Sequence, residues 1–187
     1  MHKLNTYDHS WEFIDSCPCD QHFIELITEY NLSGLSIFHF GSGNHHLVGK
    51  SPDNIKRSNV VLSITASRAE YLSYIDLVTT TPSIASHYHL LFGDIYLLNA
   101  NFLPMLDVVT LFHLGEYWKQ STLDYGGMTD SDLLEMFYLK IKVNGMVMFF
   151  KNSNAFQRVL PLIEDWCARH NMKVVGEYKS LVILQKQ

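Results

Sequence analysis

The order of apolar and amphipathic segments predicts an α/β protein with a doubly wound, mostly parallel, seven-stranded sheet that ends in an antiparallel hairpin. Three observations carry this prediction. Apolar runs of strand length alternate with segments of helical periodicity. The first run, Leu35–Phe40, stops at the glycines of Gly41-Ser42-Gly43. The last two runs are separated by a single residue, Lys179, which is typical of a hairpin.

The chain of 187 residues is expected to form a single domain, residues 1–187, with an N-terminal helical extension over about residues 1–33. Apolar residues recur at three- and four-residue intervals from Trp11 to Tyr30, and Pro18 divides this helical pattern into two pieces.

The remaining elements follow in alternation. Ser67 is a favoured N-cap, and Glu70 three residues later completes a capping box for a helix through Val78. Asn144-Gly145 is expected to turn the chain between a helix and a strand. The predicted strands are 35–40, 59–65, 89–95, 106–114, 146–150, 173–178 and 180–184, and the later helices are 129–142 and 155–170.

The glycine turn after the first strand marks the expected ligand site. Glycine allows positive φ and close approach of a ligand to the backbone, and cofactors bind at the carboxyl ends of strands in such sheets. A complete dinucleotide motif is absent, because the third glycine position is occupied by His46. A tight strand-to-helix turn without a ligand is the alternative interpretation.

Composition excludes several classes of protein. The net charge of −5 and the dispersed Lys and Arg residues argue against a nucleic-acid binder. No apolar run approaches the ~20 residues of a membrane span. The N-terminus lacks the apolar core of a signal peptide, so a cytoplasmic protein is expected.

The potential metal ligands are interpreted as incidental. The three cysteines are an odd number, which does not suggest a disulfide framework, and Cys17-Pro18-Cys19 is not a C-x-x-C motif. The ten histidines are scattered, and adjacent residues such as His45 and His46 would not easily share one ion. No metal site is expected.

From about Leu32 onward, the element order resembles the class I S-adenosylmethionine-dependent methyltransferases. The matching stretches are the glycine turn, Gly93-Asp94-Ile95 at the end of the third strand, and His113-Leu114-Gly115-Glu116 at the end of the fourth. The resemblance implies S-adenosylmethionine as cofactor. It also implies a binding site made by Phe40, Gly41, Ser42, Gly43, Thr65, Asp94, Ile95 and His113.

The resemblance places the transferred methyl group beside the end of the fourth strand. His113 or Glu116 is the implied general base, with His45 and His46 as alternates on the lid side. Each residue also has a simpler interpretation: Asp94 as a turn residue and His113 as a packed histidine. Tyr117 and Trp118 are either a substrate wall or core aromatics.

Two departures from the family stand out. The second strand ends in Ile64-Thr65-Ala66-Ser67, without the carboxylate that usually binds the ribose hydroxyls, and the next carboxylate is Glu70. His39 lies near the place of another usual acidic residue. A single neutral hydrogen bond from Thr65 or Ser67 is weaker than the charge-assisted pair that it would replace.

The leading hypothesis is therefore methyl transfer from S-adenosylmethionine to a small molecule, with no nucleic-acid or membrane partner. A non-catalytic methyltransferase-like protein, acting as a binding or assembly partner, is the alternative. A nicotinamide-dependent oxidoreductase is a third hypothesis that the closing hairpin fits poorly. Exposed aromatic residues would allow a homodimer.

Overall fold

The seven strands are β1 (Ser36–Phe40), β2 (Val60–Thr65), β3 (Tyr88–Phe92), β4 (Leu106–Thr110), β5 (Ile141–Phe150), β6 (Met172–Tyr178) and β7 (Leu181–Lys186). In the computed structural model, which describes residues 4–187, they form one sheet in the order β3-β2-β1-β4-β5-β7-β6. Neighbours from β3 to β5 are parallel, whereas β7 runs antiparallel to both β5 and β6. The predicted fold class and terminal hairpin are confirmed.

The helices are α1 (Cys19–Glu29), α2 (Leu47–Lys50), α3 (Pro52–Lys56), α4 (Arg68–Thr80), α5 (Asp130–Lys140) and α6 (Phe156–His170). Short 3-10 turns lie at Pro82–Ser86, Ile95–Leu97, Ala100–Phe102 and Gln120–Tyr125. Side chains cap α4 and α5 as predicted: Ser67 accepts from the backbone N–H of Glu70, and Thr129 from that of Asp132. Across residues 4–187, each helix is too short or too polar to cross a membrane.

Two apolar cores cover the two faces of the sheet. Successive residues of β1 point to opposite faces, so Phe38 packs with Phe137 and Trp166 of α5 and α6. Its neighbour Ile37 packs with Phe23 of α1 on the other face. This two-sided burial explains why β1 is a continuous apolar run.

The predicted N-terminal helical extension is wrong for residues 11–17, while residues 1–3 lie outside the described part. Helix α1 begins only at Cys19, with Pro18 as its N-cap. Residues 4–18 instead run across the carboxyl ends of the strands, where Tyr7 N–H donates to Ala66 O at 2.9 Å and Tyr7 O accepts from Arg68 N–H at 2.9 Å. Phe13, Ile14 and Cys17, the apolar residues of the first piece of the pattern, therefore line a cavity, whereas those of α1 pack in the core.

Several element boundaries also differ from those predicted. β3 ends before Gly93, and β4 ends at Thr110 rather than at residue 114. β5 begins at Ile141, so the predicted turn at Asn144 lies within the strand, where Asn144 has φ 65° and the pairing with β4 shifts register. The shorter β3 and β4 place Asp94 and His113 in loops at the carboxyl edge of the sheet.

Candidate active site

A cavity of about 390 Å³ lies at the carboxyl ends of the parallel strands. This volume falls within the ~300–1,000 Å³ of typical ligand pockets. Its walls come from the loops after β1 to β5 and from residues 5–20 of the N-terminal segment. The sequence-predicted site residues that line it are Phe40, Gly41, Gly43, Thr65, Asp94, Ile95, His113 and Glu116.

The glycine turn forms one wall as predicted. Gly41 and Gly43 have φ of 86° and 55°, values that favour glycine. A Cβ atom at Gly43 would overlap the imidazole of His45. The prediction that Ser42 binds the cofactor stays a prediction for its backbone N–H group, because its side chain is buried and its hydroxyl donates to Glu70 Oε2 at 3.3 Å.

Glu70 brings a buried carboxylate to the end of β2, where the sequence analysis found none. The hydroxyl of Thr65 donates to Glu70 Oε2 at 2.6 Å, and the backbone N–H of Trp11 donates to Oε1 at 3.0 Å. The predicted capping box is therefore only half formed. The Glu70 side chain turns towards Thr65, because the backbone N–H of Ser67 already donates to Thr65 Oγ1 at 3.0 Å.

Asp94 is both a turn residue and a residue of the cavity wall, so it fits both interpretations that the sequence allowed. As a turn residue, it accepts from the backbone N–H of Tyr96 at 3.1 Å and from the hydroxyl of Tyr125 at 2.7 Å. It also lines the cavity together with Ile95. Each carboxylate oxygen keeps a further lone pair with which it can accept a bond from a ligand.

His113 and Glu116 lie together after β4, as the sequence predicted. His113 Nδ1 is 3.2 Å from Glu116 Oε1. Its other ring nitrogen, Nε2, is 3.9 Å from Cys17 Sγ and 3.8 Å from Cys19 Sγ, and the two sulfur atoms are 3.7 Å apart. The fold brings the cysteine pair, which the sequence analysis interpreted as incidental, to a histidine more than ninety residues away.

Within this cluster, Cys17, His113 and Glu116 shift one another's pKa values towards the charged forms. The hydrogen bond from Cys19 lowers the pKa of Cys17 to about 5 against the effect of burial, and His113 adds to this lowering. Burial would lower the pKa of His113, but its contacts with Cys17 and Glu116 outweigh burial and raise the pKa to about 10. In the same way, His113 and Ser153 lower the pKa of Glu116 although burial would raise it.

A second polar group, which sequence reasoning missed, lies beneath the same wall. Asp20, buried in the first turn of α1, has Oδ2 3.6 Å from His39 Nε2 and 3.8 Å from His45 Nε2. Burial would raise the pKa of Asp20, but the nearby histidines lower it. His39 Nδ1 lies 2.7 Å from the hydroxyl of Thr110 on the neighbouring strand.

His46, which was predicted as an alternate base, does not lie on the lid side of the cavity, so this prediction is wrong. Its ring is buried, with Nδ1 3.0 Å from the hydroxyl of Tyr88, and burial lowers its pKa to about 4. The neighbouring His45, by contrast, lines the cavity.

Aromatic side chains of the N-terminal segment close the cavity. Trp11 packs edge-on against Tyr117, with ring centroids 5.5 Å apart, and its carbonyl accepts from Asn44 N–H at 2.7 Å. Tyr117 lines the cavity, whereas Trp118 packs against the core. Of the two aromatics considered for a substrate wall, Tyr117 is therefore the one placed to form it.

No protein-family model and no curated protein matches the chain. Solved structures do match it. The precorrin-6y C5,15-methyltransferase of Geobacter metallireducens GS-15 aligns with a TM-score of 0.62 at 11% identity, over 95% of this chain and 94% of that one. The N-methyltransferase NodS of Bradyrhizobium japonicum WM9, in complex with S-adenosyl-l-homocysteine, gives 0.61 at 9% identity, over 89% and 86%. The [4+2]-cyclase SpnF gives 0.59 at 13% identity, over 91% and 65%.

Proposed function

We propose that this chain, which has the fold of class I S-adenosylmethionine-dependent methyltransferases, binds S-adenosylmethionine and transfers its methyl group to a small-molecule acceptor. The observation that carries the proposal is the cavity at the carboxyl edge of the sheet, with its positive-φ glycine turn and the buried carboxylate of Glu70. Ligands of open α/β sheets bind at this edge.

The residues around the cavity suit the parts of the cofactor. Gly41 and Gly43 leave room for the methionine portion against the backbone. Glu70, beside Thr65, offers the carboxylate that the ribose hydroxyls need, supplied from a helix rather than from the end of β2. Asp94 and Ile95 lie after β3, on the expected adenine side.

The acceptor end of the cavity is the loop after β4, with His113, Glu116 and Tyr117. The sulfonium is already activated, so alignment of the acceptor supplies much of the rate enhancement. The assignment of His113 or Glu116 as general base stays a prediction. A cytoplasmic location belongs to the same proposal.

A non-catalytic role is the second candidate, and one observation favours it. In this structure both oxygens of Glu70 already accept hydrogen bonds, one of them from the backbone of Trp11 in the segment that closes the cavity. Glu70 is also only 2% exposed, so a ligand that used it would have to bind beside this bond or displace it. One of the similar structures, moreover, is named a cyclase, so the fold alone does not define the reaction.

Isothermal titration calorimetry with S-adenosylhomocysteine tests the proposal, with NADH as the control ligand. We expect micromolar binding of S-adenosylhomocysteine alone, about −8 kcal/mol. Gly43→Val should abolish binding because its side chain would meet His45, whereas Gly34→Val, at a positive-φ glycine with open space around it, should bind as the wild type does. Absence of binding by the wild type at high ligand concentration would leave the non-catalytic role.

A further inference from the structure

We propose that Cys17, Cys19 and His113 form a binding site for Zn²⁺ at the acceptor end of the cavity. The three ligand atoms are Cys17 Sγ, Cys19 Sγ and His113 Nε2, and all lie within 4.8 Å of one another. Thiolate and imidazole are the ligands that zinc prefers in proteins. The site accounts for the Cys-Pro-Cys motif, to which the proposed methyl transfer gives no role.

The spacing of the three atoms matches one face of a zinc tetrahedron. With Zn–S near 2.3 Å and Zn–N near 2.0 Å, tetrahedral geometry requires about 3.8 Å between two sulfur atoms and about 3.5 Å between sulfur and nitrogen. The structure has 3.7 Å between Cys17 Sγ and Cys19 Sγ, and 3.9 and 3.8 Å from these atoms to His113 Nε2. Shifts of a few tenths of an ångström would complete the coordination.

The surroundings of His113 support a metal on its Nε2 atom. Glu116 Oε1 lies 3.2 Å from Nδ1, and a small rotation of the ring would turn the Nδ1–H group onto the carboxylate and complete the carboxylate–histidine–zinc arrangement, in which Nε2 is free to ligate. Glu116 is held in turn by the hydroxyl of Ser153 at 2.6 Å and the backbone N–H of Asn154 at 3.0 Å. The contacts of Glu116 with His113, Ser153 and Asn154 would remain when the metal is bound.

Charge balance also favours a divalent ion. Zn²⁺ binding requires both cysteines as thiolates and Nε2 of His113 without a proton, so the displaced protons pass to solvent and two thiolates with a neutral imidazole balance the charge of the ion. In this structure the S–H of Cys19 donates to Asp20 Oδ1 at 3.6 Å, and the ion would replace that proton as the positive partner of the buried sulfur. Within residues 4–187, the cluster holds three potential ligands. The fourth position is therefore open, as it is in catalytic zinc sites.

The zinc site and the general-base role of His113 exclude each other, because both use Nε2. The zinc proposal revises the expectation of no metal, which considered only ligands close together in the sequence. It stands independently of S-adenosylmethionine binding, since the three ligands belong to this chain and need no cofactor.

The test measures metal content and geometry in the purified full-length protein without cofactor. After loading with Zn²⁺ and removal of the excess, elemental analysis should find about one zinc ion per chain. Replacement by Co²⁺ should give the thiolate charge-transfer and visible bands of a tetrahedral site. Cys17→Ser and His113→Gln should lose both signals, whereas Cys167→Ser, on α6, should keep them.

A further variant leaves all three ligands in place, so the proposal stays testable even if the ligand variants fail to fold. Glu116→Gln should weaken Zn²⁺ affinity roughly 10- to 100-fold in a chelator competition, because it weakens the support of His113 and keeps all three ligands. Wild-type protein without stoichiometric zinc, or with zinc that survives Cys17→Ser, would refute the proposal. Mass spectrometry that finds Cys17 and Cys19 joined in a disulfide under non-oxidising purification would also refute it.

Discussion

Replacement of Glu70 by glutamine is the sharpest test of the carboxylate at the end of β2. Glu70 Oε1 accepts from the backbone N–H of Trp11, and Oε2 accepts from the hydroxyls of Thr65 and Ser42. In Glu70→Gln the remaining oxygen can still serve Trp11. The new amide NH₂ then faces two hydroxyls that both donated to the carboxylate. The Thr65 oxygen already accepts from the backbone N–H of Ser67, so its hydroxyl proton loses its acceptor.

The size of the effect follows from these bonds. A hydrogen bond to a charged group contributes about 1.5–3 kcal/mol and a neutral one about 0.5–1.5 kcal/mol. The short bond from Thr65, 2.6 Å, is lost, and the 3.3 Å bond from Ser42 is exchanged for a neutral bond at best. Relief from burying a charge offsets part of this loss. We expect a free energy of unfolding lower by about 2 kcal/mol, or a Tm lower by about 4–8 °C for a chain of this size.

Thermal unfolding followed by circular dichroism measures the shift. Glu164→Gln makes the same chemical change at an exposed position of α6 and should stay within about 0.5 kcal/mol of the wild type. Equal Tm values for Glu70→Gln and Glu164→Gln would refute the buried carboxylate network. Titration of both variants with S-adenosylhomocysteine then separates stability from binding, because only Glu70→Gln should lose affinity.

Two further predictions concern packing and pH. Gly115→Ala should be less stable than Gly126→Ala by about 1–3 kcal/mol in urea unfolding, since both have positive φ but only a Cβ at Gly115 meets α6; equal losses would contradict this. Burial lowers the pKa of His46 to about 4, so the folded protein favours the neutral form of this side chain. Its contribution to the free energy of unfolding is complete above about pH 6.5 and is lost as the pH falls towards 4. His46→Asn should therefore lose less free energy of unfolding than the wild type between about pH 7 and about pH 4.5 in urea unfolding, and equal losses would contradict this.

The sequence was informative where structure depends on local periodicity. β1 is a continuous apolar run because both of its faces are buried, and the glycines after it mark the turn at the cavity. Helix α6 has an apolar stripe along a single face, and the hairpin of β6 and β7 closes over two residues. Each of these features lies within about fifteen residues, so the pattern alone identifies it.

The site depends on contacts that no local pattern records. His113 meets Cys17 and Cys19 only because the loop after β4 and the start of α1 lie at the same edge of the sheet. Glu70 reaches the end of β2 by turning its side chain back from a helix, while the sequence argument looked for a carboxylate on the strand itself. The helical pattern around Trp11 was misleading because apolar residues that face a cavity look the same as those that face a core.

The N-terminal segment joins the two ends of the proposed site. Trp11 contacts Glu70 on the cofactor side, and six residues later Cys17 contacts His113 on the acceptor side. If the segment keeps this position, Glu70 stays only 2% exposed. A cofactor that uses Glu70 must either bind through a remaining lone pair beside the hydrogen bond from Trp11 or break that bond, at a cost of about 1.5–3 kcal/mol. Whether the protein is catalytic or non-catalytic therefore depends on whether the N-terminal segment moves when the ligand binds.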